Sequence, residues 1–261
     1  PPIVRTPAAP AQAQPGQIVQ PAPGGRVRTH RRATPADDML GEALSHVTLR
    51  PEQRAIVDGI RKEAASKHAA VKKAKKALLE TLAAQVGAGK FDKQAMQASV
   101  DELMLKVMDE AKAQRAALDK LHALLDKTQR AQLAAQIESR FGDDEKHVAR
   151  EQMRRLTDIL KLTPEQQKKI GSMFKDTDKD DGPHGAKAKE REHKMLEAFK
   201  ADKYDADKVM PMSAVRARMQ SEIGQLFAIV QHLMPTLSPE QRALAADLLL
   251  EHANGSASLK L

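Results

Sequence analysis

The stretch DTDKDDG, from Asp176 to Gly182, carries the dense carboxylates of a calcium-binding loop. Such a loop needs glycine at its sixth place and a bidentate glutamate at its twelfth. Counted from Asp176, those places hold Asp181 and Lys187, so the stretch reads as a polar linker. The nine histidines include no His-x-x-His or His-x-x-x-His pair. His184 and His193 flank the acidic stretch and offer only adventitious metal binding, so no metal site is assigned. Cysteine is absent, which excludes thiol catalysis, disulfides and zinc–thiolate sites. No nucleophile elbow or phosphate loop is present. The acidic residues alternate with Lys and Arg, as on solvated helix faces. Neither an enzyme nor a cofactor is expected.

What remains is the chemistry of weak capture. The run VKKAKKALLE places Lys72, Lys73, Lys75 and Lys76 within about one and a half helical turns, a positive band in a chain of net charge +8. Eleven methionines are also available. Met96, Met104 and Met108 fall on one long helical segment; Met210, Met212 and Met219 fall on another, with Arg216 among them. Methionine most often fills cores, but it also suits surfaces that adapt to varied apolar partners. Lys72, Lys73, Lys75, Lys76, Met96, Met104, Met108, Met212, Arg216 and Met219 are therefore the candidate binding residues.

The elements that must carry these side chains are helices. Apolar or small residues recur at Val100, Leu103, Val107, Ala111, Leu118, Leu121 and Leu125, in steps that make one helix face. Val209, Met212, Met219, Ile223, Leu226, Val230 and Leu233 make a second such face. No stretch alternates with period two for long enough to form a strand. With five Phe, one Tyr and no Trp, the core is expected to consist of Leu, Val, Ile, Met and Ala in thin helix–helix seams. Residues 1–40 hold eight of the fourteen prolines and read as a disordered tether. The basic run RVRTHRR within them is expected to be a solvated spacer, or a patch for lipid headgroups or nucleic acid.

One five-residue pattern organises the rest. LTPEQ at Leu162–Gln166 returns as LSPEQ at Leu237–Gln241, as LRPEQ at Leu49–Gln53 and, degenerately, as LDKTQ at Leu125–Gln129. Thr163 and Ser238 are placed to cap a helix, with proline at its first position and Gln166 or Gln241 reaching back as a capping box. Asp126 and Gln129 repeat this arrangement. Arg50 occupies the cap place in the first copy and cannot accept a hydrogen bond, so that helix is expected to begin earlier or to fray. Leu49 and Leu162 are 113 residues apart, as are Phe91 and Tyr204 in the steps KFD and KYD. Three landmarks at one offset indicate a tandem duplication, with a boundary near Phe141–His147. The expected units are 41–146 and 147–261.

Two Leu-x-x-x-Gln motifs about 75 residues apart, with a Phe/Tyr–Asp step between them, resemble the LTxxQ-motif family of Spy- and CpxP-type bacterial periplasmic proteins. The resemblance covers Val47–Phe141 and Leu156–His252. It implies an all-α fold of two tandem Spy/CpxP-like helical-hairpin repeats forming an elongated, curved cradle. It also implies ATP-independent chaperone activity toward unfolded or partly folded client proteins on a concave face. The diverged motif copies and Pro211 would make that cradle asymmetric. A periplasmic location is expected, with a signal peptide or lipoprotein anchor removed ahead of Pro1 and a membrane tether through the N-terminal segment as one option; trimming of the expressed sequence would give the same start. An alternative within the family is a stress- or metal-sensing regulator acting on an envelope sensor. A third reading, a helical nucleic-acid-binding protein, follows from a pI near 9.6. Too few aromatics for base stacking, and no DNA-binding motif, argue against specific nucleic-acid recognition.

Overall fold

The protein, seen in a computed structural model, is described over residues 39–139, 154–177 and 186–255. These residues all belong to one compact unit, Pro35–Leu261. The run RVRTHRR, the boundary at Phe141–His147 and the acidic stretch beyond Thr177 lie outside the described residues, as does the expected tether up to residue 38.

Every regular element among the described residues is helical, as the apolar periods require. A short α1 (Met39–Ser45) precedes a 37-residue α2 (Pro51–Gly87), and α3 (Gln97–Leu124) returns along it. Beyond the motif Leu125–Gln129 lies α4 (Lys127–Glu138). A helical segment at 154–160 leads to α5 (Pro164–Thr177), followed by α6 (Ala186–Lys200), a single turn α7 (Ala206–Val209) and α8 (Met212–Leu233). A 3₁₀ turn at Met234–Thr236 then gives way to α9 (Pro239–Ala253). No helix among the described residues is long and apolar enough to cross a membrane.

Local chemistry sets these ends. The helix expected to fray does not: α2 starts at Pro51, because Gln53 Oε1 accepts the Arg50 N–H at 2.9 Å. The glutamine half of the capping box suffices where arginine cannot supply the other half. At the far end Gly89 takes φ +68°, and the Lys90 N–H folds back onto the Gln85 carbonyl at 3.1 Å. The Arg242 guanidinium of α9 lies over this glycine; a Cβ there would stand 3.0 Å from Arg242 Nε. In both Phe/Tyr–Asp steps the aspartate caps the turn that follows. Asp92 Oδ1 accepts from the Gln94 and Ala95 N–H groups, and Asp205 Oδ1 from those of Asp207 and Lys208. Pro211 ends the α7 turn and stands at the N-cap of α8.

Packing is non-local. α9 lies along α2, α8 crosses α3, and α6 packs on α4. The central cluster joins Leu78, Leu82 and Val86 of α2, Leu103 and Val107 of α3, Ile223, Phe227 and Val230 of α8, and Leu249 of α9. A second cluster gathers Val47, Val57, Ile60, Leu121, Leu125 and Leu133 around Phe199. A third joins Leu160, Leu162 and Ile170 to Leu233 and Leu237.

The aromatics do more than composition suggests. Phe227 is buried and meets Phe91 edge-on at 5.4 Å, a contact between the end of α2 and α8. Phe199, Tyr204 and His122 form another group, with Tyr204 stacked on His122 at 5.1 Å. The expectation of an aromatic-free core is corrected accordingly: few rings are present, but each described one sits where helices from distant parts of the chain meet.

Candidate interaction surface

The four motifs form two buried locks. Gln53 and Gln129, 76 residues apart, exchange side-chain hydrogen bonds at 3.0 Å in both directions. Each Oε1 also accepts a cap N–H, from Arg50 or Asp126, and each Nε2 also donates to a backbone carbonyl, Leu124 or Thr48, at 2.7 Å. A primary amide has two donor hydrogens and one acceptor oxygen with two lone pairs, and all are used here. Gln166 and Gln241 repeat the arrangement: they exchange bonds at 2.9 and 3.0 Å, accept from Thr163 and Ser238, and donate to Thr236 and Lys161. The first pair is buried and the second half-buried. Of the motif leucines, Leu125, Leu162 and Leu237 are buried, and Leu49 packs against the second cluster.

One shared feature escaped the motif reading. The residue after each glutamine folds back onto the carbonyl of its motif leucine. Arg54 reaches Leu49 at 3.2 Å, Arg130 reaches Leu125 at 3.0 Å, Gln167 reaches Leu162 at 2.9 Å and Arg242 reaches Leu237 at 2.9 Å. The signal was present in the sequence, because Arg or Gln follows the motif glutamine all four times. These locks fix the helix ends and leave no group free for chemistry.

The charged face lies elsewhere, on the middle of α2. Lys72, Lys73 and Lys75 are exposed and Lys76 is half-buried, paired with Glu80 at 3.7 Å. Lys72, Lys75 and Lys76 border a depression of about 230 Å³ with His68, Val71 and Leu79 of α2 and His252 and Ala253 of α9. Much of the Lys75 side chain is exposed, yet the groups crowding its amine push its pKa below the ordinary lysine value by desolvation, with Glu222 of α8 partly opposing. One turn earlier Lys67 is held above its ordinary value by its hydrogen bond to Asp109, at 2.8 Å, and by that carboxylate's charge.

The candidate methionines divide. Met104 and Met219 are half-buried against the central cluster, beside Val71 and Val215, so α2, α3 and α8 meet near the lysine face. Met108 and Met212 are half-buried and Arg216 is exposed. Met96 is a correction. It is fully buried in the central cluster and presents nothing to a partner. It occupies the turn before α3 rather than the helix, and that turn tucks it inward. Among the described residues no group of three or more His, Asp or Glu side chains is arranged to hold a metal ion, and His193 lies near Glu138 at 3.6 Å.

Tyr204 is the most strongly perturbed titrating group. Its buried hydroxyl has no hydrogen-bond partner, and its pKa is pushed up to about 12 by burial, then by Asp119 and Asp205. Unfolded tyrosine ionises near pH 10. Between those values the unfolded chain has released the proton and the folded chain has kept it, so stability falls as pH rises across this window. Tyr204 is the chain's single tyrosine, so absorbance of the phenolate in an alkaline titration reports it alone. The expected midpoint lies well above that of the denatured protein, and coincident midpoints would contradict this packing.

Comparison with family models, with curated proteins and with solved structures finds no match to this chain.

Proposed function

We propose that the protein is an ATP-independent chaperone of the Spy/CpxP type, built as an internal duplication and acting on unfolded or partly folded clients in the bacterial periplasm. The observation that carries this reading is the pair of glutamine locks. They use the same four-bond exchange of Gln amides and backbone groups, 76 and 75 residues apart, in motifs resembling those of that family. Helix ends and contacts support the duplication. Displaced by 113 residues, the ends of α2, Pro51 and Gly87, fall on Pro164 and Lys200, the first residue of α5 and the last of α6. The packing of α9 on α2 then has its counterpart in that of α4 on α6, while α3 and α8 meet across the centre.

The binding chemistry follows from the α2 face. Lys72, Lys73, Lys75 and Lys76 attract acidic segments at long range. The half-buried Met104, Met108, Met212 and Met219 add short, non-directional apolar contacts. With no nucleotide cycle, release is driven by folding: a folded client buries the apolar surface that held it. Addition of the protein at up to equimolar ratio is expected to suppress light scattering from a chemically unfolded client without ATP. Unchanged aggregation across several clients, acidic ones included, would refute the proposal.

A further inference from the structure

The depression between α2 and the end of α9 gathers more positive charge than its surroundings neutralise. His68, Lys72, Lys75 and Lys76 project from one face of α2, and His252 from α9. Two of these side chains are already engaged: His68 contacts Glu110 at 3.0 Å, and Lys76 pairs with Glu80. Among the described residues neither Lys72 nor Lys75 forms a salt bridge, although Lys67 on the same helix does. Glu222 is the carboxylate whose field reaches Lys75, and it is itself paired with Arg218 at 2.8 Å. Lys72 leans toward the C-terminal end of α9, where its Nζ is 3.8 Å from the place of a Cβ on Gly255. Val71, Leu79 and Ala253 supply apolar walls.

We propose that this depression is a binding site for a small phosphoryl oxyanion, with Lys72 and Lys75 as its principal ligands and Lys76 at its edge. Lys72 to Lys76 spans a rise of only about 6 Å along the helix, so one compact anion can meet all three amines. A carboxylate brings a single charge, whereas a phosphoryl group brings up to about two charges and three strong acceptor oxygens. Apolar walls lower the local dielectric and strengthen each of these contacts. The volume, about 230 Å³, falls below the roughly 300–1,000 Å³ of sites for drug-sized ligands, which selects a small occupant. The lowered pKa of Lys75 fits an amine crowded by groups that do not compensate its charge. This inference stands apart from the chaperone reading, and its test reads binding alone.

Calorimetric titration of the whole chain with pyrophosphate, at constant ionic strength in chloride, is expected to give one site per chain. K72Q/K75Q exchanges two exposed lysines for good helix formers and is expected to keep the helical circular-dichroism spectrum. It should weaken binding by about tenfold or more, since charge-assisted hydrogen bonds are the strong ones. K73Q removes an equal charge that does not border the depression, and should change affinity by less than about twofold. Equal weakening in K73Q, equal affinity for citrate, or the absence of a saturable site would each overturn the proposal. So would binding confined to phosphatidylcholine vesicles doped with phosphatidate, which would move the phosphoryl group from a soluble ligand to a lipid surface.

Discussion

Replacing Gln53 with alanine is expected to destabilise the protein by about 2–3 kcal/mol, and Gln166→Ala by about 1 kcal/mol. The two glutamines make the same bonds, so the difference isolates burial. Gln53 is fully buried and Gln166 half-buried. Removing the Gln53 amide orphans the Leu124 carbonyl and the Arg50 N–H and strips Gln129 of two partners, all away from water. Removing Gln166 exposes the equivalent groups where solvent can replace the lost bonds. Urea denaturation at constant m-value gives both numbers. A Gln53→Ala/Gln129→Ala cycle should return a coupling of about 1–2 kcal/mol, because the pair exchanges two bonds directly. Equal losses at Gln53 and Gln166 would show that burial does not set the strength of these locks.

The locks also mark how far the sequence could be read. The caps were legible because capping is local: Thr163, Ser238 and Asp126 act within one helical turn of their partners. Reading each glutamine as a cap partner accounted only for its oxygen. The amide nitrogen carries two more donors, and in an apolar surrounding they must find acceptors. That inventory pointed to a distant partner without saying which, since a bond spanning 76 residues leaves no trace in local spacing. Met96 failed for a related reason. A helical period was extended across the turn preceding α3, where direction no longer follows the helix. The stripes on α3 and α8 were legible as apolar faces, and Leu103, Val107, Ile223 and Val230 are buried as those periods require. Which stripe meets which is set by the whole chain. Phe227, four residues after Ile223, lay on the second stripe unremarked because rarity was taken as unimportance.

That non-local meeting carries the largest expected effect. Leu82 is fully buried, and its cluster draws on α2, α3, α8 and α9, from both expected repeats. Leu82→Ala deletes a branched side chain at the junction of four helices, where collapse of one wall is resisted by the other three. The expected cost is about 3–5 kcal/mol, toward the upper end for such truncations. The form of the loss tells more than its size. Were the repeats independent, the first would unfold alone and α9 would keep its hydrogen-exchange protection. Because α9 lies along α2 and shares this cluster with it, protection in α2 and α9 should fall together, and the denaturation curve should keep a single transition. Two transitions, or an α9 still protected once α2 has opened, would mean that the halves are joined by covalent connection alone and that the seam between them contributes little.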